Sequence, residues 1–554
     1  MKLRTVAVPL VALGLVLSGC SSSNDLGPAG SGELGATNDI NPMDPSLLKD
    51  GGNLRLALTH YPETFNPLHI DSDGELTNIL SPVLPESTSV DKAGEPFIDH
   101  DYFTDIKLTS TNPQQVTYTI NPKAVWSDGR PITWEDLKSQ AEALSGKNKD
   151  FVVSANSGFD RVEKVERGVD DQQAILTYNK NYGDWSGQYG TLLPKEYTAT
   201  PDAFNNGLRD GIAITAGPFL ISSYDKGQNR VVLSRNPKWW GEKPRLDTIT
   251  FSSLDISAWL QALQNNELDA ISVSSIDDIK TAQNSKDRGI VLRRAPRNYW
   301  AQVTFNGGKG SILEDPVVRT AVAKAIDRQA IATAIQTGIV ENPKPLNNHV
   351  FLHGQPGYQD NSAPVAFDPD AAAKLLDEAG WKLVGDVREK DGRKLEISDV
   401  MYQQDSWIQM AQIMQQNLQK IGVKLTIDPV PGQGLFTDHL QPGRFGISQF
   451  SWSGSAYPIG SIESIYSYSP DEIRQNMARI GSPELNAMIE EVTGELDPAK
   501  AIDLANEIDR KIFEEVHSIP LFQSAGNVAV RDNLANYGAF GLAQPNYIKA
   551  GFIK

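Results

Sequence analysis

Residues 303–331 read VTFNGGKGSILEDPVVRTAVAKAIDRQAI: an apolar opening, a glycine-rich turn and then a punctuated helix. Asp315-Pro316 supplies an N-cap and an N1 proline, whose missing N–H costs nothing at a helix start. Val318, Val322, Ala325 and Ile326 follow on one face, the spacing of a helix packed on a core. Gly307-Gly308-Lys309-Gly310-Ser311 has the composition of a phosphate loop without its spacing.

Downstream the same device recurs. Asp368-Pro369 opens a helix with Ala372, Leu375, Leu376 and Ala379 inside and Gly380 as the stop. Ala411, Met414, Leu418 and Ile421 form a third stripe ended by Gly422, and Asp497-Pro498 opens a fourth with Ile502, Ala505, Ile508, Ile512 and Val516. Upstream, strands enter. Asn53–Leu58 alternates, as do Val116, Tyr118 and Ile120 before the Asn121-Pro122 break, and Asp128-Gly129 marks a turn. Thr133 caps a short acidic-first helix, WEDLKSQAEAL, while Arg230–Ser234 and Asp247–Phe251 are further strands. The class is mixed α/β, with no internal repeat.

The 554 residues allow three to four domains or a few large lobes, and 40% apolar with 22% charged residues is ordinary globular usage. A net charge of −18 argues against wrapping nucleic acid or coating an anionic membrane. Cys20 is the single cysteine, which excludes intramolecular disulfides, Cys-based zinc sites and iron–sulfur clusters.

Cys20 closes a leader. Lys2 and Arg4 precede an apolar run from Val6 to Leu17, too short to span a bilayer, and Leu17-Ser18-Gly19-Cys20 resembles the bacterial lipobox. That resemblance implies cleavage after residue 19 and lipidation of Cys20. Residues 20–50, rich in Ser, Gly, Asn, Asp and Pro, are expected to be a flexible tether of roughly 30 Å. The protein is then exported and held by lipid on the outer face of the cytoplasmic membrane without spanning it.

No catalytic or metal motif assembles. His349 and His353 have the helical spacing of a zinc pair, but Pro- and Gly-rich flanks put them in a loop. Asp71-Ser72-Asp73-Gly74-Glu75 has its glycine too early for a calcium loop. Gly432-Gln433-Gly434 lacks the third glycine of a dinucleotide loop, and no G-x-S-x-G elbow exists. A secreted lipoprotein hydrolase remains a remote alternative; no cofactor is implied.

Five ordered stretches carry a family resemblance: VTYTINPKAVWSDGRPITWEDL, AGPFLISSYDKGQNRVVLSRNPKWWGEKPRLDTITF, LQALQNNELDA, the 303–331 block and FDPDAAAKLLDEAGW. Together they resemble family 5 (cluster C) solute-binding proteins of ABC importers, the class holding oligopeptide- and dipeptide-binding proteins. The resemblance implies a two-lobe periplasmic-binding-protein-like fold (type II) whose hinge closure buries a ligand. Lobe 1 would be 51–302 with a return at 523–554 and an extra subdomain at about 76–205. Lobe 2 would be 303–522, with crossings near Val303–Asn306 and Ile519–Phe522. Partners would be a short peptide and the permease and ATPase of an importer; the protein is expected to be a monomer.

Most of the ten Trp and 16 Tyr are expected in the core. Trp452 is the exception: FSWSGSAYP resembles the family's cleft-lining loop, which makes Trp452, Gly454, Ser455 and Tyr457 candidate ligand contacts. In peptide-binding members that loop carries an Asp for the peptide's ammonium. Here Ser455 stands in the slot, so either another acid serves (Asp71, Asp73, Asp405 or Glu463) or the ligand is a modified peptide, a glutathione-like peptide or an oligosaccharide. Tyr61, Asn66, Trp300, Gln302 and Tyr402 complete the candidate cleft.

Overall fold

Two long antiparallel strands, Ile290–Phe305 and Ser518–Arg531, carry the architecture of the computed structural model. Both are buried over nearly their whole length, so their sequences show no apolar/polar alternation even though buried Arg293, Arg294, Gln302 and Gln523 interrupt the apolar residues. They sit in the middle of a ten-stranded sheet. On one side lie Ile447–Ser453, Glu396–Tyr402 and Lys424–Val430; on the other Ala270–Ser272, Asn53–Leu58, Thr248–Ser253, Arg230–Arg235 and Phe219–Asp225. The structure describes residues 38–554 except 157, 341, 432, 433 and 471. Cys20 and the leader lie outside the described residues. Among those described, no helix is long and apolar enough to cross a membrane.

Separate cores hang on this sheet. The lobe 1 core gathers Leu54, Leu56, Phe65, Ile249, Phe251 and Val530, and the lobe 2 core Val303, Phe305, Val318, Val322, Leu376, Met414 and Ile519. A four-stranded antiparallel sheet (Phe103–Thr111, Gln114–Ile120, Gln173–Tyr178, Val162–Arg167) and the helix Trp134–Leu144 enclose a third, around Tyr118, Trp126, Phe159 and Tyr189. This is the extra subdomain. Its expected start at 76 is corrected: Leu76, Ile79 and Leu80 of the helix Gly74–Leu80 belong to the lobe 1 core.

The Asp-Pro signals mark real helix starts. Asp315, Asp368 and Asp497 each cap a helix, Pro316–Ala325, Pro369–Glu378 and Pro498–Glu515, with a side-chain oxygen 2.9 Å from the backbone N–H of Val317, Ala371 and Ala499. The third stripe is Asp405–Gln419, and Gly422 turns the chain at φ +76. The Arg319 guanidinium holds the carbonyls of Leu313 and Glu515 (2.9 and 3.1 Å), and Arg328 those of Leu346 and Pro520 (both 3.0 Å). Both arginines thus fasten lobe 2 helices to loop and strand backbone.

The tether is shorter than expected. From residue 38 onward the chain lies on lobe 1: Asp39 N–H donates to Ala539 O at 2.8 Å, Arg293 holds Ile40 O at 3.1 Å, and Leu48 is 0% exposed beside the C-terminal strand. Composition did not reveal this because the anchoring comes from a few contacts with residues about 250 to 500 positions away.

Candidate functional site

The long strands change register between lobes. Pro296 pairs with Ala525 and Trp300 with Gln523, so Arg297, Asn298 and Tyr299 bulge opposite Ser524 alone. Leu292 packs in a lobe 1 core and Ala301 in the lobe 2 core. The register shift and change of core fall at about 297–299 and 524, against the expected crossings near Val303–Asn306 and Ile519–Phe522, where Val303–Phe305 and Ile519–Phe522 belong to paired strands. A cavity of about 520 Å³ opens at this bulge, beside Ala57 and Ser272–Ser274 at the C-terminal ends of lobe 1 strands, where α/β sheets bind ligands. The Oδ1 atoms of Asn298 and Asn527 are buried there without partners.

The aromatic candidates lie on the lobe 2 side of the bulge, where Trp452, Phe450 and Gln302 line a separate small pocket. Trp452 is the cross-strand partner of Trp300 and stands edge-on to Phe450, ring centroids 5.4 Å apart. Its Nε1–H is buried without a partner. Trp300 and Gln302 are buried, and the Trp300 indole N–H donates to Gln302 Oε1 at 3.4 Å. Beyond Trp452 the chain turns at Gly454, whose N–H donates to Asn298 O at 2.7 Å and whose carbonyl accepts from Asn298 Nδ2 at 2.8 Å. A Cβ at 454 would meet Asn298 Oδ1 at 2.1 Å, so this approach requires glycine. Ser455 Oγ accepts from Tyr457 N–H at 3.0 Å, a local turn that sets the Tyr457 ring.

Tyr457 then crosses to the subdomain, its hydroxyl 3.0 Å from Thr88 Oγ1 and 3.4 Å from Ser186 Oγ. The seam continues with Gly183 N–H donating to Thr493 O at 2.7 Å and with Arg161 on Glu463 and Glu490 at 3.2 and 2.9 Å. Three glycines allow this closeness: a Cβ at 183 would meet Glu495 O at 2.5 Å, at 187 the Tyr457 ring at 2.0 Å, and at 460 Asp184 Oδ2 at 2.7 Å. The lobes are closed against each other. A second cavity of about 310 Å³ lies in the seam, walled by residues of both.

A two-lobe body with closed seam and cleft at the strand crossings fits one family. The model described as bacterial extracellular solute-binding proteins, family 5 Middle, matches residues 101–471. The chain belongs to that family. It is 49% identical over 555 residues to the oligopeptide-binding proteins OppA of Mycobacterium tuberculosis and Mycobacterium bovis, covering 99% of this chain and 93% of theirs. It shares its fold with the periplasmic EDTA-binding protein EppA (TM-score 0.86, 23% identity, 95% of this chain and 100% of that one). The same holds for AppA of Bacillus subtilis in complex with a nonapeptide (TM-score 0.74, 21% identity, 92% and 100%). A family 5 solute-binding protein captures; it is not an enzyme.

In this family 5 protein the remaining candidates lie apart from the cleft cavities described above. Asn66 is buried, its amide donating to Phe204 O at 2.7 Å and its Oδ1 accepting from Leu68 N–H at 3.0 Å, which is a structural turn. Asp71 pairs with Arg209 at 2.7 Å, and Asp73 caps the helix Gly74–Leu80. Tyr61 packs against Phe65 in the lobe 1 core. Tyr402 ends a lobe 2 strand beside Val430, and Asp405 is exposed in the first turn of its helix. Glu463 is committed to Arg161 and Arg474 (3.2 and 3.0 Å). His349 is no ligand pair with His353: Nδ1 lies 2.7 Å from Asp509 Oδ1 and Nε2 3.0 Å from Ser518 O.

Thr88, Arg161, Gly183, Asp184, Ser186 and Asn298 were missed. Each faces a residue more than 150 positions away and carries no local signature.

Proposed function

We propose that this chain is the receptor of an ABC importer and captures short oligopeptides between its lobes. The observation that carries the reading is the closed seam, in which Tyr457 and the 463–493 region of lobe 2 meet Thr88, Arg161 and Gly183–Ser186 of the subdomain. The 49% identity to mycobacterial oligopeptide-binding proteins over almost the whole chain supports the ligand class. An extended peptide offers the same backbone whatever its side chains, and the unpartnered Asn298 Oδ1, Asn527 Oδ1 and Trp452 Nε1–H suit direct or water-bridged contact with it. Closure buries the ligand and presents both lobes at once to the permease, and a lipid on Cys20 holds the receptor beside it.

A second reading is a solute without a free amine, favoured by Ser455, which is uncharged and whose hydroxyl is already engaged by Tyr457 N–H. Native mass spectrometry of the purified full chain separates the two. A family of adducts that resolves into short peptides on denaturation is the expected result. A single adduct of non-peptide composition would overturn the oligopeptide reading.

A further inference from the structure

The 310 Å³ seam cavity has a feature the strand-crossing cleft lacks: a carboxylate with a buried oxygen and, among the described residues, no cation on the cavity wall. Asp184 comes from the subdomain, and its Oδ2 is buried without a hydrogen-bond partner. Among the described residues, no Lys, Arg or His lines the cavity. Of the other two acids on its wall, Glu495 is paired to Lys500 at 2.5 Å and Glu95 is exposed. Apart from Ser186 and Gln355, the remaining wall is apolar and aromatic, including Trp185, Phe351, Tyr457, Pro458 and Ile459. Burial pushes this carboxyl up to about 6 against a hydrogen bond from the Gly460 backbone N–H, and a cation in the cavity would return the rest of the desolvation penalty.

Resting on the oligopeptide reading, we propose that Asp184 is the anchor for the ligand's free amine. The geometry puts it opposite the loop whose Ser455 is neutral: Ala456, Tyr457 and Pro458 wall the same cavity, and Gln355, also on the wall, donates to Ser455 O at 3.0 Å. The anion therefore comes from the subdomain, on the other side of the seam. An ammonium attached to an apolar residue matches a cavity of one carboxylate and aromatic sides, and the volume is at the lower end of small-molecule sites, about 300–1,000 Å³. Because the walls belong to both lobes, the amine is recognised only after closure.

The test sets an equimolar tetrapeptide library with free amines against the same library N-acetylated, in competition on the full chain read by native mass spectrometry. Wild type should prefer the free-amine library at least tenfold. Asp184→Asn should erase that preference while acetylated peptides bind as before, and Glu495→Gln should leave it intact. If Asp184→Asn does not fold, Ile502→Trp, which fills the cavity from lobe 2, should erase the preference in its place. Preference unchanged in the variant, or equal loss of both libraries, overturns the proposal. If wild type binds both libraries equally, this inference falls and the oligopeptide reading stands. If it binds neither, both fall.

Discussion

Arg161 and Glu490, 329 residues apart, meet across the lobe seam in a bidentate pair, with Nη1 3.2 Å from Oε1 and Nη2 2.9 Å from Oε2. The Arg161 side chain is only 6% exposed and also holds Asn181 O and Glu463, while Lys180 adds a contact to Glu490 at 3.3 Å. Burial raises the Glu490 carboxyl, but hydrogen bonds and charge from Arg161 and Lys180 outweigh it and leave it below its ordinary value. The bidentate geometry on a buried guanidinium strengthens the pair, while the half-exposed Glu490 leaves it partly screened by solvent.

The pair should therefore set how long the closed state lasts. Arg161→Ala removes one cation from two carboxylates and should raise the dissociation rate of bound peptide about tenfold, roughly 1.4 kcal/mol. Stopped-flow tryptophan fluorescence measures it. An unchanged rate would mean that the pair forms without contributing to closure.

Gly187 provides a steric counterpart. A Cβ there would stand 2.0 Å from the Tyr457 ring, which would have to leave Thr88 and Ser186. Gly187→Val should weaken ligand binding by about a hundredfold, roughly 2.7 kcal/mol, with little change in thermal stability. Calorimetry and a melting curve on the same sample separate the two effects.

At the other end of lobe 1, Leu48 lies fully buried among residues of the C-terminal segment. Leu48→Ala should cost about 2–5 kcal/mol of unfolding free energy, the range for emptying an apolar core site. Urea titration checks it; a loss within about 0.5 kcal/mol would return residues 38–50 to the tether.

Two acids near the subdomain edge make stability depend on pH. Burial, with the Asp99 charge adding to it, pushes the Glu86 carboxyl up from 4.5 to about 8 against a hydrogen bond from Gln544, and burial pushes Asp99 up to about 6. Both bind their protons more tightly folded than unfolded. Their contribution is full below the ordinary carboxyl range and is lost as pH rises through about 6 and then about 8. The urea midpoint should fall between pH 5 and pH 8.5, and Glu86→Gln should flatten that fall.

Local punctuation was the legible part of this chain. Asp315-Pro316, Asp368-Pro369 and Asp497-Pro498 each declare a helix start through one cap, and Asn53–Leu58 declares a strand through alternation. The crossings were less so, because the bulge at Arg297–Tyr299 is defined by what Ser524 fails to pair with. Of the candidate site, Trp452, Gly454 and Tyr457 stood out through one loop motif. Only position pointed to Asn66, and its amide is turned to Phe204 O, a contact 138 residues away. Asp184 was invisible for the same reason: a buried acid matters through what faces it.

Closure on peptide is the central claim, and a distance across the seam tests it. With Cys20→Ala removing the single native cysteine, spin labels at Lys164→Cys on the subdomain and Glu491→Cys on lobe 2 sit on exposed side chains either side of Arg161 and Glu490. Pulsed electron–electron resonance on peptide-stripped protein, then after adding the free-amine tetrapeptide library, reads the separation. Peptide-stripped protein should give a long, broad distribution that collapses to one short, narrow distance with peptide. An identical distribution in both samples, at peptide occupancy verified by native mass spectrometry, would contradict it.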